Sequence, residues 1–268
     1  MYKDHNMKIH NSMSICIVTF KERMEMVKSL VKRIREQVPD RVDILLAVNG
    51  NNDEDMSNCY RKNMLEFSAS YNNIYPILCP EFKSLSKLWN TLVIFSKTEY
   101  NFIICDDVEY GDGQIYNQVL NHINRTHQEF FTINGGFSHF VCTKSMLHKV
   151  NYFDERLSSF GEEDGDMQYK YIKTTGERIP YLIIPTIFNK ASYHLKNTKI
   201  ETFTDNKPKF NREVATMMYA KDPNGIINPM DPTRTPVTKI VEDTQQYPHE
   251  MFVIRNKHNI SKFEKVIF

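Results

Sequence analysis

Two acidic clusters in this sequence have the residue types to do chemistry together. The first is Asp106-Asp107, which follows directly on the apolar run Phe102-Ile103-Ile104-Cys105. Two adjacent carboxylates at the end of a buried strand repel each other and lose solvation, and a divalent cation is the usual compensation. Oxygen-only ligands suit Mg2+ or Mn2+ better than zinc. The second cluster is Gly161-Glu162-Glu163-Asp164-Gly165-Asp166, four carboxylates within five residues just before a helical run. A helix N-terminus favours negative charge and accounts for one acid as a cap, but not for four. A carboxylate placed there can act as a general base toward a hydroxyl. The plain alternatives are a solvated acidic turn for the first cluster and a helix cap for the second.

The elements that must position these acids follow from the apolar patterning. Ser14–Thr19, Val42–Val48, Ile74–Leu78 and Phe102–Cys105 read as short buried strands. Between them, helices are expected over Met24–Ile34, Met56–Phe67 and Ser84–Phe95, with Met24, Val27, Leu30, Val31 and Ile34 on one face of the first. Strand and helix thus alternate through the first hundred residues, which implies an α/β fold with a mostly parallel sheet and helices on its faces. Ligands in such sheets bind beyond the carboxyl ends of the strands, so the loops after Val18, Val48 and Cys105 are the candidate site. Further on, strands are expected at Phe130–Ile133, His139–Thr143 and Tyr181–Pro185, and helices at Ile115–Ile123, Lys144–Val150 and Asp164–Lys173. From about Lys199 onward, closely packed Pro, Asn, Asp and Gly turn signals read as an extension wrapped on the main domain. One helix is expected near Arg212–Tyr219. The expected division is an N-terminal segment over 1–13, one domain over 14–198 and the extension over 199–268.

In this order and spacing, the motifs resemble family 2 glycosyltransferases, inverting enzymes of the GT-A fold. Val18-Thr19-Phe20-Lys21-Glu22-Arg23 is similar to the family's opening V-T-Y-N-R, and Asn49-Gly50-Asn51-Asn52-Asp53 to its N-G-S-T-D turn. Trp89-Asn90 falls where the family has R-N, and Cys105-Asp106-Asp107-Val108-Glu109 resembles the N-D-D-V-E form of its D-x-D motif. Phe153-Asp154-Glu155 followed by Glu163-Asp164-Gly165-Asp166 resembles F-D-E followed by E-D-x-D. The likeness spans roughly residues 14–170.

The resemblance implies a sugar transferase with a nucleotide-activated donor and Mn2+ or Mg2+ as cofactor. Thr19, Phe20 and Glu22 would lie near the base and ribose, with Asn49 and Asn51 beside them. Asp106 would approach the ribose, and Asp107 would hold the metal on the diphosphate. Asp164 would deprotonate the acceptor hydroxyl, with Glu163 and Asp166 beside it and Gly136 near the donor sugar or acceptor. His194 falls where the family often completes the metal site; His139 is as readily structural. The acceptor would be a glycan or lipid-linked glycan, in bacterial surface polysaccharide or glycoconjugate synthesis. Three departures bear on this. Asn49 stands where the family often has Asp, Trp89 replaces its Arg so that Lys87 or another cation would contact phosphate, and the Cys105 thiol is a poor ligand for a hard cation.

Composition narrows the class. The chain has 268 residues, 34 Lys+Arg against 33 Asp+Glu, and a net charge of +1. That balance argues against a nucleic-acid binder working by bulk charge. No apolar run reaches membrane-span length, and no apolar segment follows the charged N-terminus. A soluble cytoplasmic protein is expected, at most loosely peripheral at a membrane through Phe252–Phe268; the plainer and favoured reading of that segment is a strand or helix packed on the main domain. Five cysteines without a C-x-x-C pair read as buried thiols in a reducing compartment. Two competing functions stay open: a nucleotidyltransferase, disfavoured by the lack of glycine after the first strand, and a non-catalytic relative that binds sugar nucleotide.

Overall fold

The computed structural model describes residues 13–19, 23–50, 54–79, 83–155 and 163–190. Phe20, Glu22, Asn51, His194, the helix expected near Arg212, the extension over 199–268 and the segment Phe252–Phe268 lie outside the described residues.

Four strands alternate with three helices in the first half: β1 (Ser14–Thr19), α1 (Met24–Gln37), β2 (Ile44–Val48), α2 (Glu54–Ala69), β3 (Ile74–Leu78), α3 (Leu85–Phe95) and β4 (Tyr100–Cys105). There follow β5 (Val108–Tyr110), α4 (Ile115–Thr126), β6 (Phe130–Ile133), β7 (Gly136–Thr143), α5 (Lys144–Lys149), α6 (Glu163–Thr175), β8 (Tyr181–Leu182) and β9 (Ile187–Asn189). Seven strands form one sheet in the order β3-β2-β1-β4-β7-β6-β8. The pairs β3–β2, β2–β1, β1–β4 and β6–β8 are parallel, whereas β7 runs antiparallel to both β4 and β6. The fold is α/β with a mostly parallel sheet, as the patterning predicts.

The period of two along each strand sorts the core into two layers. Ile15, Ile17, Leu46, Phe102 and Ile104 face α1 and α4, through residues such as Val27, Ile34 and Val119. Cys16, Leu45, Ala47 and Ile103 face the other way, toward Leu88 and Trp89 of α3, Leu147 of α5 and Met167 of α6. On this second face Trp89 packs against Phe153 and Phe140 with centroids 4.8 and 5.2 Å away.

The second half differs in detail from the sequence expectation. β7 begins three residues earlier than the apolar run starting at His139, because Asn134 (φ 55°) and Gly135 (φ 80°) make a two-residue hairpin turn. Both central residues at positive φ is the geometry that Asn-Gly favours between twisted strands. The register then slips between Thr132 and Ile133, so Phe137, Ser138 and His139 bulge from the ladder with β6. β8 is shorter than expected because the chain after Leu182 is captured by Asn134. Its carboxamide donates to the carbonyls of Ile184 (2.8 Å) and Ile187 (2.7 Å) and accepts from Ile184 N (2.8 Å). This sets β9 antiparallel to β5 as a separate ribbon, an element the sequence pattern does not announce. No described helix is long and apolar enough to cross a membrane.

Candidate active site

β1 and β4 are neighbours in the sheet although 83 residues separate Arg23 from Asp106. The loops after both strands therefore meet at the carboxyl ends of the strands, where the chain turns from β1 toward β2 on one flank and from β4 toward β5 and α4 on the other. Asp106 and Asp107 sit there, 3% and 7% exposed. Arg23, at the entry to α1, places Nη1 2.8 Å from Asp106 Oδ1 and 3.1 Å from Asp107 Oδ2. The remaining oxygens, Asp106 Oδ2 and Asp107 Oδ1, are buried and accept no hydrogen bond. Burial pushes the Asp106 carboxyl up to about 6, against the charge and hydrogen bond of Arg23; Asp107 adds to the rise and the Thr19 hydroxyl opposes it. Cys105, half-buried at the end of β4, has its thiol pushed far up by desolvation and by the charges of Asp107, Asp106 and Glu163, so it stays a neutral thiol.

β5 and β9 close one side. Lys190 N donates to the Asp107 carbonyl at 2.9 Å, and its ammonium pairs with Glu109. A cavity of about 270 Å³ opens between α1 and β5, lined by Glu25, Ser29, Arg33, Asp106, Asp107 and Lys190 among others.

The other candidate residues fall around these strand ends in different states of engagement. Thr19 is 2% exposed and its hydroxyl accepts from Tyr60 (3.3 Å). Asn49 is buried, and its carboxamide is held by the backbone of Lys83, donating to the carbonyl at 2.9 Å and accepting from the amide at 2.8 Å. Lys87 pairs with Glu155 at 2.9 Å. Gly136 opens β7 beyond the hairpin turn. At the start of α6, Glu163 is buried and near enough to Cys105 to act on its thiol, whereas Asp164 is exposed and accepts from Gly165 N at 2.8 Å. Asp166 pairs with Lys170 (2.9 Å), whose ammonium also donates to the Tyr152 carbonyl.

Sequence reasoning missed two site-building residues. Arg23 lies within a quoted motif, yet its contact depends on the adjacency of β1 and β4. Asn90 joins α3 to the Phe153-Asp154-Glu155 segment: Nδ2 donates to Phe153 O (2.9 Å) and Glu155 Oε1 (3.0 Å), while Oδ1 accepts from Phe153 N (3.0 Å). Asn90 also lies within a quoted motif, Trp89-Asn90, and it is a carboxamide on the apolar face of a helix, yet neither signal names its partner. His139 is 3% exposed, its Nδ1 bonds to Ser138 Oγ at 2.8 Å, and burial lowers its pKa to about 4.

No family model and no curated protein matches the chain. Solved structures do. TarS of S. aureus, residues 1–349, is 15% identical with a TM-score of 0.50, over 64% of this chain and 58% of that one. The same protein in complex with UDP-GlcNAc is 13% identical with a TM-score of 0.51, over 76% of this chain and 64% of that one. The mannosyltransferase PcManGT from Pyrobaculum calidifontis, in complex with GDP-Man and Mn2+, is 11% identical with a TM-score of 0.50, over 69% and 59%. The chain thus spans less than two thirds of the length of these structures. The fold they share with it is that of the GT-A glycosyltransferases.

Proposed function

We propose that this protein is a glycosyltransferase that moves a sugar from a nucleoside diphosphate donor to a hydroxyl acceptor, by a single displacement with inversion. The observation that carries this reading is the buried Asp106-Asp107 pair at the β1–β4 edge of a GT-A-like sheet, with one unpartnered oxygen on each carboxylate. Two such oxygens suit Mg2+ or Mn2+, which are bound through one or two carboxylates together with substrate phosphates. Among the described residues no group of three or more His, Cys, Asp or Glu converges on a metal position. A third protein ligand is therefore assigned to His194, four residues past Lys190, which itself bonds to Asp107. The ion, when bound, supplies positive charge to the diphosphate leaving group.

The chain's own residues do the rest. Thr19, Phe20, Glu22, Asn49 and Asn51 line the nucleoside, and Asp106 faces its ribose. Lys87, in the first turn of α3 and paired with Glu155, is assigned to the donor phosphate. Asp164, exposed at the head of α6, takes the acceptor's proton during attack, with Glu163, Asp166 and Gly136 shaping the acceptor side. The donor is a hexosyl or N-acetylhexosaminyl nucleotide, and the acceptor a glycan or lipid-linked glycan of a bacterial surface polymer. Residues 14–198 are assigned to the catalytic domain.

The test is release of nucleoside diphosphate from UDP- and GDP-sugars, with and without Mn2+ and an acceptor panel. Release should require the ion and fall below detection in Asp107→Ala. Asp164→Asn should cost about 10²–10⁴ in turnover while nucleoside diphosphate affinity stays within a few-fold, since a base acts in the transition state. Release of pyrophosphate instead assigns nucleotidyl transfer, and tight donor binding without release assigns a non-catalytic binder.

A further inference from the structure

The acid pair comes with its own cation. One guanidinium nitrogen of Arg23 is shared between Asp106 Oδ1 and Asp107 Oδ2, at 2.8 and 3.1 Å. All three side chains are shielded, at 15%, 2% and 8% exposure, so their charges act on each other through little water. Arg23 neutralises one of two negative charges. A divalent ion taking the free oxygens, Asp106 Oδ2 and Asp107 Oδ1, would share these two carboxylates with the guanidinium. The ion and the arginine would then repel each other across two small groups. An anion that can receive the guanidinium relieves that repulsion, and a diphosphate accepts it in a geometry that the planar guanidinium matches.

We propose that Arg23 is a specificity-determining residue for cation uptake: it holds the acid pair as an internal ion pair in the nucleotide-free protein and moves to the diphosphate when donor arrives. Divalent ion and nucleotide therefore enter together, each raising the affinity for the other by the same factor. This rests on the reading of Asp106-Asp107 as a cation site for a nucleotide donor.

The experiment measures Mn2+ binding to the full chain by the loss of the free-ion electron paramagnetic resonance signal, with no acceptor and no turnover. Wild type is titrated alone and with saturating UDP or GDP. Mn2+ should bind at least about tenfold more tightly with nucleotide. Arg23→Gln, checked for folding by its circular dichroism melt, should bind Mn2+ about tenfold more tightly than wild type in the absence of nucleotide, and its nucleotide dependence should shrink. Equal Mn2+ affinity of wild type with and without nucleotide overturns the proposal, whatever the variant does. A folded Arg23→Gln that binds Mn2+ no more tightly than wild type also overturns it. Failure of wild type to bind Mn2+ in either condition overturns the metal reading of the acid pair, and this inference with it.

Discussion

Replacing Asn90 by Ala should destabilise the protein by about 3–5 kcal/mol, because the side chain satisfies both backbone polar groups of a buried residue. Phe153 has no exposed surface, and both its N–H and its C=O are bonded to the Asn90 carboxamide. The turn that delivers Phe153 is itself costly: Asn151 and Tyr152 are both left-handed, at φ 63° and 59°. For a residue such as Tyr this conformation costs about 1 kcal/mol or more, so the segment depends on its anchor. Each buried group left without a partner costs about 1–3 kcal/mol. Glu155 loses one bond but keeps Lys87 at 2.9 Å. The expected total is a large share of the roughly 5–15 kcal/mol that holds a domain together. At roughly 2–4 °C per kcal/mol for a chain of this size, the melting temperature falls by about 10 °C. The chain's one tryptophan, Trp89, lies 4.8 Å from Phe153 by ring centroid, so its emission reports the same event locally and should shift red. Thr91→Val is the control, since Thr91 is next on the helix and bonds only within it, to the Lys87 carbonyl. If Asn90→Ala costs less than about 1 kcal/mol, no more than Thr91→Val, the carboxamide is not the anchor and the reasoning fails.

His139 should make stability fall on acidification. Its folded-state pKa is lowered from 6.5 to about 4, so the unfolded chain takes up a proton that the fold refuses between those values. The contribution is present above pH 6.5 and is lost as pH falls toward 4, by up to about 3 kcal/mol; denaturation midpoints of wild type and His139→Gln should converge over that window, and parallel curves would refute the shift. Gly111→Ala should cost about 1–3 kcal/mol, because its Cβ would meet the Thr186 carbonyl oxygen at 2.5 Å and push β5 off β9. Gly176→Ala, at φ 80° with no atom within 4 Å of the added carbon, should cost about 1 kcal/mol; equal losses in urea melts would show that the β5–β9 contact yields freely.

What the sequence reveals here depends on how local the cause is. β1, β2 and β4 are buried on both faces, so each is a continuous apolar run that needs no partner to be recognised. The buried stripe of α1, Val27, Leu30, Val31 and Ile34, is visible in the same way. β5 and β9 are three residues each, and they exist because Asn134 draws the 184–187 backbone into place from another hairpin. No periodicity over three residues carries that information. The bulge that buries His139 likewise depends on the register of β6 against β7, set by the Asn134-Gly135 turn.

The candidate site divides along the same line. Asp106 and Asp107 are legible because two acids after an apolar strand are unusual by type alone. Their counter-ion is not, because any of the cations in the chain could serve until the strand order is known. The order β2-β1-β4 makes Arg23 the near one: it leaves β1 on the strand that adjoins β4, four residues past Thr19, and its side chain has only to cross one inter-strand gap. A doubly wound sheet brings together the ends of two strands that are distant in sequence, so charge opposite in sign to a visible motif belongs first to the loop after the neighbouring strand. Lys87 fits the same logic in reverse. It lies on α3, on the far face of the sheet from α1, and its carboxylate is Glu155 of a segment that Asn90 fastens to the same helix. Two cations thus serve different acids, Arg23 the Asp106-Asp107 pair and Lys87 Glu155, and the fold rather than residue type decides which is which.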